Sequence, residues 1–270
     1  MSDITVINDS EQSSLVTNGL AKNGELYLKA AGSTDAGAII VYDSGVWRTF
    51  ANEGGGLGAI SNAYSVSFDG TNDYMSIGNV TEINSASNLS ISFWFNLDVI
   101  PSVNSAPIII GSNNFWNQIS DAGFRYWNGT ATNTSYSFST GVWYHTVMAQ
   151  SGTTLKVYVN GGLEGTHTVN AISSTAGNNL TVGKWSGGNY NKTNGYIDEV
   201  SVFNSELSAS DITEMYSTGV PADLTSLTPV GWWRMGDNDS GTGTTVTDQG
   251  SGSNNGTLVN GAAFSSDVPS

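Results

Sequence analysis

The chain has 270 residues and carries 23 Asp and Glu against 8 Lys and Arg, giving a formal net charge of −15. This balance excludes a protein that neutralises nucleic-acid phosphates with clustered basic residues. It also disfavours binding to anionic membranes and suits cations or neutral glycans. Cysteine is absent, so disulfides and thiolate metal sites are excluded. Abundant Gly, and only 11% charged residues, indicate an all-β protein.

Residues 1–53 form a first block with its own strand pattern. Two apolar runs flank residues 43–45, Asp-Ser-Gly, which predicts a β-hairpin. So few residues bury little surface alone, and we therefore predict an attachment or oligomerisation block. The alternative is a plain extension packed on the main domain. Glycine-rich residues 54–58 predict a linker, and residues 59–270 predict the main domain.

Strand patterns then follow one another along the main domain. Residues 64–77 predict a strand, a tight turn and another strand, and residues 108–110 a short buried strand. Residues 89–97 are the clearest strand, because apolar side chains recur at every second position. The face predicted to be buried carries Leu89, Ile91, Phe93, Phe95 and Leu97. Residues 113–133 are interpreted as a turn-rich aromatic section.

The centre of the chain, residues 141–169, predicts an antiparallel meander. Asn160-Gly161 follows an alternating run, and this dipeptide is a strong hairpin signal because both residues accept positive φ at low cost. Residues 180–183 and 195–203 predict further strands.

One short helix is predicted after these strands. Ser208 is a suitable N-cap, and Asp211 three residues later approximates a capping box. Ile212 and Met215 lie on the predicted apolar side, and Gly219 ends the helix.

Four blocks occur in an order typical of one family. They are FDGTNDYM at 68–75, LSISFWF at 89–95, WYHTV with KVYVNG between 143 and 161, and GYIDEV with NSELS between 195 and 208. Over roughly residues 60–219 the chain resembles laminin-G-like, concanavalin-A-like domains. The resemblance implies a two-sheet antiparallel jelly-roll sandwich with one short helix, preceded here by the small N-terminal β-hairpin block.

The segment from Gly231 to Val259 resembles the motif that usually opens such a domain, although here it follows the helix. It is interpreted either as a strand pair that completes the same sandwich or as the remnant of a second copy. Completion is favoured, because about 40 residues are too few for a second domain.

Residues 37–50 look like short N-terminal pieces of bacteriophage tail-fibre and head-decoration proteins. No secretion signal and no long apolar run are visible. The resemblance implies a protein made in the host cytoplasm and carried on the virion surface, with no membrane insertion. Its first block would bind capsid or tail proteins, while the lectin-like sandwich would bind host-surface glycans. The resemblance also implies a homo-oligomer. The alternatives are a purely structural virion subunit and a carbohydrate-binding accessory of an extracellular polysaccharide-degrading system.

Catalysis is not predicted. Glycoside hydrolases need two carboxylates that flank the scissile bond, and the alternating acidic run of glucanases on this fold is absent. Asp198 and Glu199 are adjacent, so a regular strand would point them to opposite faces. His145 and His167 lie within strand patterns without a nucleophile elbow and are interpreted as structural.

The resemblance implies one structural Ca²⁺ at Asp198, because the family often places this aspartate on calcium. Asp69 and Asp73 lie in a turn that could add oxygens towards the six to eight ligands that calcium needs. The alternative is a plain turn at Asp69 and a hydrogen-bonded strand residue at Asp198.

Aromatic residues near Asn and Gly form the predicted glycan site, because sugars offer apolar C–H faces together with hydroxyl groups. The predicted ligand-binding residues are Trp116, Tyr126, Trp127, Trp185 and Tyr190. The alternative is that these rings cover the sandwich edges or pack on a neighbouring subunit.

Overall fold

The structure is a computed structural model that describes four strands before residue 52 by their backbone alone. It then describes residues 57–84, 86–102, 108–112, 114–172, 179–186, 192–216 and 219–270. Contacts divide the chain into two units, Met1–Gly58 and Ala59–Ser270. None of the helices in the described ranges has the length and apolarity needed to cross a bilayer.

The first unit contains one four-stranded sheet. Its strands are β1 (Thr5–Ile7), β2 (Leu26–Lys29), β3 (Ile39–Asp43) and β4 (Val46–Ala51), in the order β1-β2-β3-β4. Asp43 pairs with Val46, which confirms the predicted hairpin. The proposed attachment role of this unit stays a prediction.

The regular structure in the described part of the second unit is mostly β-strand. Its strands are β5 (Ser65–Asp69), β6 (Tyr74–Asn79), β7 (Asn88–Leu97), β8 (Ile108–Gly111), β9 (Trp116–Ser120), β10 (Gly123–Trp127), β11 (Ala131–Thr134), β12 (Tyr144–Ser151), β13 (Thr154–Val159), β14 (Gly162–Thr168), β15 (Asn179–Val182), β16 (Asn194–Phe203), β17 (Gly231–Trp233), β18 (Thr245–Val246), β19 (Gly256–Val259) and β20 (Ala263–Ser265). Helix α1 spans Ala209–Tyr216, and short 3₁₀ turns span Thr81–Ile83 and Thr225–Leu227.

These strands form two antiparallel sheets that face each other across one core. The front sheet has the order β11-β10-β9-β8-β15-β6-β19-β18. The back sheet has the order β14-β13-β12-β7-β16-β5-β20, and β17 pairs with β16. The all-β jelly-roll sandwich with one short helix, predicted from the sequence, is therefore confirmed.

Strand β7 shows how alternation builds this core. Leu89, Phe93 and Phe95 are at most 1% exposed and point between the sheets. The opposite face of β7 is also covered, because Trp94 stacks on His145 and on Tyr216 of α1, with ring centroids 5.0 and 5.7 Å apart. The helix therefore seals the outer face of the back sheet at this point.

The structure confirms the predicted helix cap and the predicted hairpin turn. The Ser208 hydroxyl accepts from the Asp211 N–H at 3.1 Å, and the Asp211 carboxylate accepts from the Ser208 N–H at 3.0 Å, which is a reciprocal capping box. Asn160 and Gly161 both have positive φ in the hairpin between β13 and β14. These features depend only on neighbouring residues, which is why the sequence predicts them.

The segment after the helix contributes to both sheets. Strand β17 pairs with β16 in the back sheet, and β19 pairs with β6 in the front sheet. Trp233 is fully buried in the core, and its indole N–H donates to the carbonyl of Asn254. The segment therefore completes the same sandwich.

The interpretation of residues 113–133 as a turn-rich section is wrong, because residues 116–120, 123–127 and 131–134 form the regular strands β9, β10 and β11. Inward-facing Asn117 interrupts the apolar alternation and conceals the first of these strands. It is fully buried, and its side-chain oxygen accepts the Ile110 N–H at 3.2 Å. A satisfied polar group in a core cannot be distinguished from a loop residue by periodicity alone.

Candidate functional site

Two tryptophans form a stacked pair on the outer face of the front sheet. Trp127 of β10 lies directly opposite Trp116 of β9. Their ring centroids are 5.8 Å apart and their planes differ by 10°. Phe124 and Tyr126 are 1% exposed and point inwards, so alternation directs Trp127 outwards. Both tryptophan rings are partly exposed.

The row that contains this pair continues across the sheet with small residues. Successive strand registers pair Trp127 with Trp116, Trp116 with Gly111, Gly111 with Thr181, and Thr181 with Ser76. Beyond the two rings, the row therefore carries glycine and short hydroxyl side chains. Thr181 is 5% exposed and its hydroxyl bonds to the carbonyls of Gly111 and Lys184, so the row offers mainly its two tryptophan rings to the apolar face of a sugar ring.

Trp185 lies at the same end of the front sheet. Its indole N–H donates to the carbonyl of Ser112 at 3.0 Å. Ser112 also donates its own N–H to the carbonyl of Phe115 at 2.7 Å, closing the turn that leads into Trp116. The structure thus brings three of the predicted ligand-binding residues, Trp116, Trp127 and Trp185, into one region.

The prediction of an exposed contact at Tyr126 does not fit its position. Its ring is 1% exposed, and its hydroxyl donates to the side-chain oxygen of Gln150 at 3.0 Å inside the sandwich. Burial raises the pKa of this hydroxyl well above its ordinary value. The difference arises because Tyr126 lies on the inward-facing side of strand β10, and the sequence pattern did not predict this strand. Tyr190 lies outside the described residues.

Arg125 belongs to this surface and was missed by the sequence reasoning. Its guanidinium carbon lies over the Trp116 ring, 5.3 Å from the centroid. The alternation from Phe124 to Trp127 could have indicated an outward position for it. Further along the sheet, the Lys184 ammonium lies 3.5 Å from the centroid of Tyr74. Burial and the nearby charge of Lys192 lower the pKa of Lys184.

Asp69 and Asp198, the predicted calcium ligands, do not lie together. Asn194 pairs with Asp69, and Asp198 follows four residues later on β16, roughly 13 Å along the strand. Asp198 is fully buried, and its two carboxylate oxygens accept from the Asn62 amide and the Glu199 N–H. These two aspartates therefore do not fit one ion.

Asp69 and Asp73 lie at the same turn after β5 and are better placed to bind one calcium ion together. The Asp69 carboxylate accepts from the Thr71 N–H at 2.7 Å, and this bond lowers its pKa. One carboxylate oxygen of Asp73 is shielded and has no hydrogen-bond partner among the residues that the structure describes. Lys192, however, donates to the Thr71 carbonyl in the same turn. The described residues contain no cluster of three or more metal-binding side chains, so calcium at this turn stays a prediction.

The adjacent carboxylates Asp198 and Glu199 do not face opposite ways as a regular strand predicts. Glu199 has a φ of 46°, and the pairing of β16 with β7 gains one residue between Asp198 and Ser201. This bulge places both carboxylates on the outer side of the back sheet. Glu199 accepts from the Trp232 indole at 2.7 Å and from the Arg234 side chain at 3.0 Å.

This cluster is enclosed and densely charged. Arg234 also pairs with Asp237 at 3.1 Å. Burial, followed by the charge of Glu199, raises the pKa of Asp198 well above its usual value. Burial likewise raises the pKa of Glu199, against the lowering effect of Arg234. Because Asp198 and Glu199 are 0% and 3% exposed, a polysaccharide cannot reach them in this structure.

His145 is similarly enclosed. Its ring lies beneath Trp94, and its Nε2 is 2.8 Å from the hydroxyl of Ser92. Burial lowers its pKa to about 3, so the ring is neutral at physiological pH. Its Nδ1 has no partner among the described residues, and hence no carboxylate orients it as a general base.

The family model described as the concanavalin A-like lectin/glucanases superfamily matches residues 69–213, more than half of the chain. The chain belongs to this superfamily. No curated protein sequence matches it.

Solved structures place this superfamily member among proteins of the same fold. A candidate carbohydrate-binding protein from Bacteroides ovatus has a TM-score of 0.59 and 16% identity, covering 92% of this chain and 71% of its own. The heptameric SAP-like pentraxin from Limulus polyphemus has a TM-score of 0.48 and 18% identity, covering 59% and 84%. Domain 4 of the extracellular arabinanase AbnA from Geobacillus stearothermophilus, solved with arabinotriose, has a TM-score of 0.48 and 19% identity, covering 57% and 76%. The first of these similarities supports the fold alone.

Proposed function

We propose that residues 59–270 form a non-enzymatic, lectin-like module that binds a glycan across Trp116 and Trp127 on the front sheet. The stacked, partly exposed tryptophan pair carries this proposal. A superfamily named for both lectins and glucanases leaves binding and catalysis open. The enclosed position of Asp198 and Glu199 on the other sheet favours binding.

The expected contribution of each ring follows from the area that a sugar would cover. Removing roughly 100 Å² of apolar surface from water contributes about 2.5 kcal/mol. Loss of one ring should therefore weaken binding by roughly ten- to a hundredfold. Because the rings pair across two hydrogen-bonded strands, they are already held in one orientation before a ligand arrives.

A glycan array followed by calorimetry on the best ligand tests this function. The variants are Trp116→Ala and Trp127→Ala, and the matched control is Trp143→Ala. Trp143 is also partly exposed, but it lies next to β12 of the back sheet, where its indole donates to Asp267. We expect at least tenfold weaker binding in both front-sheet variants and unchanged binding in the control. Equal affinity in all three would reject the site.

The same tryptophan pair also suits a second function, in which the module makes only protein contacts within an assembly. Partly exposed aromatic residues are common at protein interfaces. In that case the array shows no ligand, while Trp116→Ala lowers the oligomeric state measured by light scattering. Glycan binding that depends on Trp116 would reject this alternative.

We propose in addition that the module is displayed on a virion surface, with residues 1–53 bound to capsid or tail proteins and the chain forming a homo-oligomer. The likeness of residues 37–50 to phage fibre and decoration pieces supports this context. Deletion of residues 1–53 should release the protein from purified particles. Retention of the shortened chain at wild-type copy number would contradict the attachment role.

A further inference from the structure

We propose that the glycan carries a carboxylate and that Arg125 binds this group beside Trp116. This inference rests on the proposed glycan-binding function and adds the chemical class of the ligand. It depends on the charge, burial and position of Arg125.

Unlike Lys156 and Arg234, Arg125 has no carboxylate partner within the described residues. Lys156 pairs with Glu206 at 2.9 Å, and Arg234 pairs with Glu199 and Asp237. The Arg125 side chain forms no ion pair or hydrogen bond within the described residues, and its one specific contact among them is with the Trp116 ring. In a chain with 23 acidic residues, an arginine without a carboxylate partner is available for an external one.

The environment of Arg125 strengthens an ion pair with a ligand. Its Nε is shielded from water and has no hydrogen-bond partner, so part of the guanidinium is already desolvated. Arg125 as a whole is partly exposed, so its terminal amino groups can donate to a ligand. Arginine donates two parallel hydrogen bonds to a carboxylate, and such charge-assisted bonds are stronger where water is excluded.

A ligand that contacts the exposed part of Trp116 necessarily approaches Arg125, because the guanidinium lies over that ring. A neutral sugar would take the charge further out of water without supplying a counter-charge, and this costs free energy. A carboxylate on the sugar compensates for that cost. The net charge of −15 repels long polyanions at low salt, but the repulsion is screened beyond about 8 Å at physiological ionic strength. A short oligosaccharide containing uronic acid fits these conditions.

Matched pairs of ligands test the carboxylate directly. Oligomers of galacturonic, mannuronic and glucuronic acid are compared with their methyl esters, which keep the ring faces but lose the charge. Calorimetry at 150 mM salt uses the full chain, Arg125→Gln, Arg125→Lys and the control Lys156→Gln. The control removes a partly exposed cation of the back sheet.

We expect wild type and the Lys156 control to bind at least one acid about ten- to a hundredfold more tightly than its ester. Arg125→Gln should bind acid and ester equally, and Arg125→Lys should retain part of the preference. Equal binding of acid and ester by wild type, lost in Trp116→Ala, would overturn this inference and leave the glycan site intact. An acid preference that persists in Arg125→Gln would also overturn it. No binding of any member of the panel or of the glycan array would overturn both proposals.

Discussion

Replacement of Arg234 by methionine should destabilise the sandwich strongly, and the effect should depend on pH. Arg234 is 8% exposed and reaches Glu199, Asp237, Asn238 and the carbonyl of Ser61. Methionine keeps most of the apolar stem but removes the only described cation beside these carboxylates. Glu199 is then left with one indole donor in a site where it is 3% exposed.

The free energy of unfolding should fall by about 3–5 kcal/mol, because the substitution leaves a buried charge without its partner. That is a large part of the stability of an ordinary domain. Burial already raises the folded-state pKa of Asp198 and Glu199. Groups of this kind stabilise the folded state at low pH and lose that contribution as pH rises through their folded-state pKa. The loss of folding stability in Arg234→Met should therefore be greater at pH 8 than at pH 5.

Urea unfolding followed by tryptophan fluorescence at both pH values measures this effect. Lys156→Met is the matched control, because the Lys156–Glu206 pair is 38% and 28% exposed and should contribute less than about 1 kcal/mol. Glu199→Gln in the Arg234→Met background should recover part of the stability by removing the charge. A loss below about 1 kcal/mol at pH 8, or an equal loss at both pH values, would refute the reasoning.

Three further predictions concern other parts of the second unit. Ser208→Ala should cost about 1 kcal/mol and lower the melting temperature by roughly 2–4 °C, whereas Ser210→Ala in the same helix should not; equal shifts would contradict the capping role. Because burial lowers the folded-state pKa of His145 to about 3, stability should fall as pH drops from about 6.5 towards 3, by up to about 1.4 kcal/mol per pH unit. Urea titrations of His145→Gln should lack that part of the decline, and an unchanged pH profile would show that the ring is not held neutral. If calcium binds the turn after β5, its heat of binding should disappear in Asp73→Asn and persist in Asp198→Asn, and the reverse pattern would place the ion at Asp198.

The sequence predicts those parts of the fold that depend on neighbouring residues. Every second residue of Leu89–Leu97 is apolar, and a strand that hides one face from water must bury that set. Asn160-Gly161 turns because both residues accept positive φ, and Ser208 with Asp211 closes a cap within one helical turn. The aromatic and asparagine composition around Trp116, Trp127 and Trp185 likewise indicated the region of the candidate site.

Tertiary structure alone decided which of these side chains meet. Trp116 and Trp127 stack because strand register places them opposite each other, and register depends on pairing partners far away in the chain. Tyr126 is buried in the core rather than exposed, because the pairing of β10 places it on the inward face. A bulge at Glu199 overrides the alternation that periodicity predicts, since one extra residue reverses the facing of a side chain. Cross-strand geometry is a long-range property, and so the sequence by itself determined the layers, while the packed sheets determined which side chains form the candidate site.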